Sequence, residues 1–334
     1  MKRKTVDYGR WLELEKELQR RTAMQQFPVF LDYSDPQYAR QWFHTLIARR
    51  CQELIAGTLA TNRLMVFVPP QHGKSEIVSR KFPAWALGIN PRMKIVGASY
   101  SASLAQQFSR SIQRTIDSPE YRAVFPGTLL NGSVPTAKGY LRNVDIFETV
   151  GHHGFYKCNG VGGSLTGTPV DIGIIDDPVK DAAEAYSETY RNKVWDWYTS
   201  VFLTRLHNDS RQLFIMTRWH EDDLAGRILK HEEDEWTVLR IPALRETIGD
   251  GNDFDPRKVG EALWEERHSR KRLLEAQRRS ARVFSALYQQ NPVIEGGNIV
   301  KRDWFRHISP AEFRSLRKGE PIVFFLDTAY TDKT

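Results

Sequence analysis

The chain has 334 residues, of which 40% are hydrophobic and 27% charged, with a net charge of +7 and two cysteines. This composition is ordinary for a globular protein and supports a sizeable buried core. Two distant cysteines exclude a zinc site with four cysteine ligands and give no reason to expect disulfides, which fits a reducing cytoplasm. No apolar run reaches membrane-spanning length. The positive charge favours a polyanionic partner such as DNA, but proteins of unrelated function are also mildly basic.

The first predicted elements are two helices. Residues 6–21 alternate charged and apolar side chains and predict an amphipathic helix. A turn-rich stretch with Pro28 and Pro36 follows. A second helix is predicted over residues 38–59, ending near Gly57.

From residue 63 onward, short apolar runs alternate with helical stretches. Strands are predicted at residues 64–68, 94–98, 144–150, 171–175, 212–216 and 236–241. Such runs, rich in Val, Ile and Phe, suit strands buried on both faces, so the pattern predicts an α/β fold with a mostly parallel sheet. A helix is predicted over residues 269–289. The last apolar run, residues 321–326, ends at Asp327, and we expect further chain to follow it, because a lone strand cannot bury its faces.

The strongest local motif is VPPQHGKS at residues 68–75, between a predicted strand and a predicted helix. A phosphate-binding loop needs inward-facing amides, a lysine that reaches the β- and γ-phosphates and a hydroxyl for Mg²⁺. The candidate binding residues are Gln71, His72, Gly73, Lys74 and Ser75. Val68 replaces the usual first glycine, so the motif depends on its strand–loop–helix context.

A second motif, VDIGIIDDP at residues 170–178, ends an apolar strand with two acids. Carboxylates here lie at the sheet edge where α/β proteins bind ligands. Asp176 is the candidate that holds Mg²⁺ through its water shell, opposite Ser75. Asp177 is the candidate that orients the attacking water, although many motor ATPases carry the longer glutamate there. The alternative is a plain Asp-Pro turn.

A third motif, FIMTRWH at residues 214–220, ends the next strand. Thr217 and Arg218 are candidates for sensing the γ-phosphate; the alternative is a strand end with a solvent-facing arginine. The glycine-rich residues 160–167 form either a phosphate- or DNA-approaching segment or an ordinary loop. The basic residues 268–282 form either a solvated helix face or a DNA-facing surface.

Taken together, six segments resemble the large terminase subunits of tailed bacteriophages, in order over residues 64–292 and arguably to Asp327. They are VPPQHGKSEIVS, ASYSASLAQQFSR, GGSLTG, IIDDPVKDAAEAYSETYRNKVWDWY, TRWHEDDLAGRI and FSALYQQNP. The resemblance implies a phosphate-loop ATPase of the additional-strand class with a small helical lid. The expected parts are an N-terminal helical or lid segment (1–60), the ATPase core (61–245), lid and linker (246–297) and the start of a ribonuclease-H-like nuclease (298–334).

The resemblance also implies the activity and partners. It implies an ATP- and Mg²⁺-dependent motor that moves double-stranded DNA into a procapsid in the host cytoplasm. Such motors form rings, usually pentamers, on the portal protein, receive DNA from the small terminase subunit and need no membrane. By position, Asp176 binds metal, Asp177 catalyses and Thr217 couples. Asp327 corresponds to the first carboxylate of a two-metal nuclease. The later carboxylates are absent, so we do not expect this chain alone to cut DNA.

Two departures from the family pattern concern arginines. Many relatives carry arginine where this chain has Gln71, and again near Thr168. The charge-stabilising arginine is therefore unassigned, with Arg110, Arg205 and Arg218 as candidates. Two other functions stay open. One is a helicase-like or unrelated ATPase without packaging duty, and the other is a nucleotide-dependent clamp that does not hydrolyse ATP.

Overall fold

A computed structural model of the chain describes residues 8–133, 139–246 and 254–292. All of them belong to Met1–Val293, one of the two units into which the chain divides. The predicted start of a nuclease domain, including Asp327, lies outside the described residues. None of the described helices combines the length and apolar character needed to cross a bilayer.

Seven strands form one sheet. They are β1 (Arg63–Phe67), β2 (Lys94–Ser99), β3 (Ile146–Glu148), β4 (Phe155–Gly160), β5 (Val170–Asp176), β6 (Leu206–Met216) and β7 (Thr237–Arg240), in the order β3-β4-β2-β5-β6-β1-β7. All neighbours pair in parallel except β3 with β4. One strand, β6, lies between β1 and β5, so an additional strand separates the predicted phosphate loop from the predicted acids. The predicted α/β fold with a mostly parallel sheet is confirmed.

Helices surround this sheet. They are α1 (Tyr8–Gln25), α2 (Phe27–Ser34), α3 (Trp42–Ala56), α4 (Phe82–Ile89), α5 (Ala102–Asp117), α6 (Pro119–Val124), α7 (Ala182–Tyr186), α8 (Glu188–Trp197), α9 (Leu224–Glu232), α10 (Arg270–Arg279) and α11 (Ala281–Val283). Wider π-helical turns precede α4 (Glu76–Lys81) and follow α8 (Tyr198–Phe202) and α11 (Phe284–Tyr288). Short 3₁₀ turns cover Leu203–Arg205 and Glu233–Glu235.

Strand β1 shows why the central strands are apolar throughout. Its Leu64 and Val66 belong to the core on one face of the sheet, and its Met65 and Phe67 belong to the core on the other. Side chains alternate between faces along a strand, so covering both faces with helices requires consecutive apolar residues. The two cores together hold the strand ends in fixed positions, which matters for the side chains that follow them.

Three predicted elements differ from the structure. Residues 27–34 form α2 rather than turns, because Pro28 occupies the first turn of that helix, where a missing N–H costs nothing. The strand at residues 144–150 is the short antiparallel edge strand β3. The helix predicted over residues 269–289 is interrupted at Ser280, whose extended backbone and hydroxyl cap the next turn at Val283.

Strand β4 did not appear in the sequence pattern. Its residues alternate between buried and half-buried positions, and half-buried Lys157 and Asn159 break the apolar run. The region after β7 has a small core of its own, formed by Ala243, Leu244, Leu273 and Phe284. The side-chain amide of Gln289 closes it by bonding both the N–H and the carbonyl of Leu244.

Candidate functional site

The loop after β1 has the backbone of a tight phosphate-binding turn. Gln71 and Gly73 both have positive φ, of 64° and 77°. A Cβ atom at position 73 would lie 3.0 Å from Nε2 of His44, so glycine is required there both by conformation and by space. Helical structure begins at Lys74, which places the amides of this loop at a helix start.

Two buried, neutral histidines, His44 and the loop residue His72, hydrogen-bond to the backbone of the loop. Nδ1 of His44 accepts the N–H of Gln41 (3.1 Å), so its Nε2 carries the proton and donates to the carbonyl of His72 (2.9 Å). The ring of His72 bonds the carbonyl of Pro70 (2.8 Å). Burial lowers the pKa of His44 to about 4 and that of His72 to about 3, so both rings are uncharged at neutral pH.

Lys74, Asp177 and Thr217 meet at the carboxyl ends of three adjacent strands. The amine of Lys74, which is buried, donates to the hydroxyl of Thr217 and lies 3.2 Å from Oδ2 of Asp177. The other carboxylate oxygen of Asp177 accepts the backbone N–H of Thr217 (2.7 Å). Asp177 has a φ of 42°, a left-handed conformation that aspartate tolerates better than most side chains. The three motifs therefore converge on one site.

Asp176 lies deeper, at the end of β5. It is buried and accepts the hydroxyls of Ser75 (3.1 Å) and Ser79 (2.5 Å). Burial, and then the adjacent charge of Asp177, raise the pKa of the Asp176 carboxyl. A buried carboxylate supported only by hydroxyls and a nearby lysine favours an additional cation. Hydroxyl and carboxylate oxygens are ligands that Mg²⁺ accepts, so these residues fit that ion.

A cavity of about 660 Å³ lies above Lys74, Asp177 and Thr217, and Asp176 does not line it. Gln71, Gly73, Lys74, Ser75, Asp177 and Thr217 line it, as predicted site residues brought together. Residues not predicted from the sequence also line it, namely Tyr38, His44, Pro70, Glu76, Arg80, Tyr100, Val179, Lys180, Trp219, Trp264 and Arg267. They come from segments far apart in the chain. Some of them, such as Trp219 and Lys180, lie in or just beyond the three motifs, but the motif chemistry does not single them out. For the more distant residues the sequence gives no local signal.

Other candidates lie elsewhere. The guanidinium of Arg218 bonds Asp223 (2.8 Å), covers the ring of Phe67 and does not line the cavity. Arg110 and Arg205 do not line it either. The side chain of His72, itself a loop residue, is buried and does not line the cavity.

At the second departure from the family pattern, the hydroxyl of Thr168 accepts a hydrogen bond from Lys157 (3.0 Å). Among described residues, no group of three His, Cys, Asp or Glu side chains could hold a metal by itself. A metal ion at Asp176 would therefore need ligands from a bound phosphate or from water.

Comparisons with known proteins place this chain in a family. The family model described as "Terminase large subunit, T4likevirus-type, N-terminal" matches residues 65–307, a range that includes all three motifs. No curated protein matches the chain.

Among solved structures, the chain is similar to the HK97 bacteriophage large terminase, with 13% identity, a TM-score of 0.48 and coverage of 76% of this chain and 51% of that one. This chain thus spans about half of that terminase. It is also similar to a mutant ATPase domain of the Thermus phage P74-26 large terminase, with 14% identity, a TM-score of 0.45 and coverage of 72% and 93%. A family match over more than half of its length identifies the chain as a member of the T4-like large terminase subunit family, through its N-terminal region.

Proposed function

We propose that this chain is the ATP-hydrolysing motor part of a large terminase subunit, and that it moves double-stranded viral DNA into a procapsid. The contact of Lys74 with Asp177 at the cavity carries this proposal. This contact supports the proposal because phosphoryl transfer to water needs a cation for the phosphates near a carboxylate that can orient the water.

In the proposed reaction, the amides of residues 71–75 and the amine of Lys74 bind the β- and γ-phosphates of ATP. Ser75 and Asp176 would hold Mg²⁺. When bound, this ion neutralises charge that develops on the phosphate oxygens. Because Asp176 is buried and bonded to the hydroxyl of Ser75, it would help to hold that ion rather than contact the nucleotide itself.

Asp177 is the proposed water-orienting group. The N–H of Thr217 fixes its Oδ1, which leaves Oδ2 directed to Lys74 and the cavity. ATP phosphates would compete with Asp177 for the amine of Lys74, and this exchange would free Oδ2 to accept a hydrogen bond from water. Asp177 is shorter than a glutamate, and it lines the cavity with its backbone in a left-handed conformation.

Thr217 is the proposed coupling residue, since it contacts both partners of this exchange. Its hydroxyl accepts from Lys74 and its N–H donates to Asp177. A movement of Lys74 toward a phosphate would therefore be transmitted to the end of β6. Arg218 follows directly and connects that strand end to Asp223 at the start of α9.

The wider assembly follows from the family. We propose that the chain acts in a homo-oligomeric ring, with five subunits as the expected number, docked on the portal protein in the host cytoplasm. The small terminase subunit would deliver DNA. The proposed parts are a helical segment (1–60), the ATPase core (61–245), lid and linker (246–297) and the beginning of a nuclease (298–334). Asp327 is the proposed first ligand of the nuclease's two divalent metals.

Four measurements test this function. The purified chain should hydrolyse ATP faster with duplex DNA, and Lys74→Ala should abolish nucleotide binding. With portal-bearing procapsids, the intact subunit should protect DNA from added nuclease in an ATP-dependent way. A strand-displacement assay should stay negative, because a packaging motor moves duplexes without unwinding them. ATP hydrolysis that survives Lys74→Ala would overturn the site, and efficient unwinding would favour a helicase.

A further inference from the structure

The cavity contains one cation that has no partner among the described residues. Four cationic side chains line it: Lys74, Arg80, Lys180 and Arg267. Lys74 pairs with Asp177, Arg80 with Glu76 (3.2 Å) and Lys180 with Asp181 (3.9 Å). The guanidinium of Arg267 forms no ion pair or side-chain hydrogen bond within the described part of the chain, and it lies 5.2 Å from the ring of Trp264.

The segment that carries Arg267 is attached to the phosphate loop at both ends. On one side, the ring of Trp264 packs edge-on against that of His44 (5.3 Å), which bonds the loop backbone. On the other side, the ring of His268 stacks on that of His72 (4.5 Å between centroids, 22° between planes). The N–H groups of Arg267 and His268 both donate to the carbonyl of Trp264, which forms a single helical turn.

Through this attachment, the position of Arg267 is coupled to that of the phosphate loop. Burial holds His44 and His72 in place, and each contacts one end of the turn, so the turn cannot shift without disturbing the loop. The Arg267 side chain is itself exposed and free to reach toward a ligand. A guanidinium that stacks on an aromatic ring keeps all its N–H donors available for phosphate oxygens.

The other candidate arginines are either paired with a carboxylate or do not line the cavity. The guanidinium of Arg218 is engaged by Asp223, and that of Arg80 by Glu76 and the ring of Phe108. Arg110 and Arg205 do not line the cavity. Gln71, in the loop itself, lines the cavity with an uncharged side chain. Within the described residues, Arg267 is therefore the arginine that lines the cavity without a competing carboxylate.

We propose that Arg267 binds the terminal phosphates of the nucleoside triphosphate in cis and supplies the positive charge that Gln71 cannot. This inference rests on the proposed ATPase function. The contact distinguishes a triphosphate from a diphosphate. It also ties the turn at residues 264–268, and α10 behind it, to the nucleotide state.

The test compares Arg267→Ala and Arg267→Lys with Arg114→Ala, which removes an exposed arginine that does not line the cavity. Binding of Mg²⁺·ATPγS and of ADP is measured by calorimetry on the full chain, and turnover by phosphate release. For Arg267→Ala we expect ATPγS affinity to fall about tenfold and turnover at least about 100-fold, with ADP affinity nearly unchanged. Arg267→Lys should recover part of both, and Arg114→Ala should match the original chain.

An equal loss of ATPγS and ADP affinity, or no loss, would overturn the inference. Thermal unfolding of each variant separates a folding defect from a lost contact, and the exposed position of Arg267 makes an unchanged transition the expectation. Mixing Lys74→Ala with Arg267→Ala subunits tests whether Arg267 acts on the nucleotide of its own subunit. Activity above the sum of the two would mean that Arg267 serves a neighbouring subunit and would overturn the proposal.

Lys74→Ala distinguishes a failure of the proposed ATPase function from a failure of the role proposed for Arg267. If ATPγS does not bind the unmodified chain, or binds equally well after Lys74→Ala, the proposed function itself fails. If Lys74→Ala abolishes binding while Arg267→Ala changes nothing, only the role of Arg267 is lost.

Discussion

The amine of Lys74 lies 3.2 Å from Oδ2 of Asp177, although the two residues follow strands β1 and β5, which are not neighbours in the sheet. Strand β6 between them contributes Thr217, which bonds both. The ion pair thus spans the carboxyl ends of three adjacent strands, β1, β6 and β5. In the proposed reaction, a phosphate that binds the lysine would also release the carboxylate, so nucleotide binding and water activation would be linked through a single contact.

Asp177→Asn tests the second half of that link. The amide keeps the size of the side chain and can still accept the N–H of Thr217, but it is a far weaker base. We expect ATP affinity to stay within a few-fold and turnover to fall at least about 100-fold. Equilibrium binding and phosphate release measure the two quantities, with Lys74→Ala as the contrasting variant that loses binding. Normal hydrolysis by Asp177→Asn would remove its assignment as the catalytic residue.

Thr217→Val tests coupling. The change removes the hydroxyl that accepts from Lys74 and preserves the backbone N–H that holds Asp177. Nucleotide affinity should change little, while the length of DNA packaged per ATP hydrolysed should fall. Thr217→Ser restores the hydroxyl and is the control. If the packaging yield per ATP is the same in all three proteins, the threonine has no coupling role.

Arg218→Ala separates a structural role from a catalytic one. Asp223 is buried with only 2% of its side chain exposed, and it also caps α9 through the N–H of Gly226. Removing the arginine leaves a buried carboxylate without its cation, and we expect the free energy of unfolding to drop by about 3–5 kcal/mol. Urea unfolding measures this drop. Full stability combined with lost turnover would instead indicate γ-phosphate sensing.

His44→Gln tests a pH dependence. The pKa of His44 is about 4 in the folded protein, below its ordinary value of 6.5, so the unfolded chain binds more protons between these values. Stability therefore falls as pH drops through this window. From pH 7.5 to 5, the original chain should lose about 2 kcal/mol more than the variant, which has no titrating ring there. Buried Asp176 titrates with the opposite sign but is common to both proteins. Equal losses in urea unfolding would contradict the prediction.

The basic residues of α10 and α11 provide a test of DNA contact. Arg278, Arg279 and Arg282 are exposed or half-buried on this face. If they touch phosphates, replacing all three with glutamine should flatten the plot of log affinity against log salt concentration by up to about 0.9 per lost contact. An unchanged slope would mark the face as a solvated surface only.

Some of this site could be read from local sequence. The residues 68–75 lie between a strand and a helix, and two acids end another strand, so parallel topology alone brings them to one sheet edge. The placement of Lys74, Ser75, Asp177 and Thr217 follows from that rule. The interruption of the last helix at Ser280 was not predicted, because serine in a helical pattern does not by itself show whether its hydroxyl caps a new turn.

What the amino-acid order determined by itself was the periodicity of buried strands and the motifs at their ends, since both depend on neighbours in the chain. What only the tertiary structure decided was which distant side chains share the cavity. The packing of Trp264 on His44 and of His268 on His72 brings Arg267 to the phosphate loop, and the pairing with Asp223 takes Arg218 away from it. These outcomes depend on contacts between segments that are far apart in sequence, and no local pattern records them.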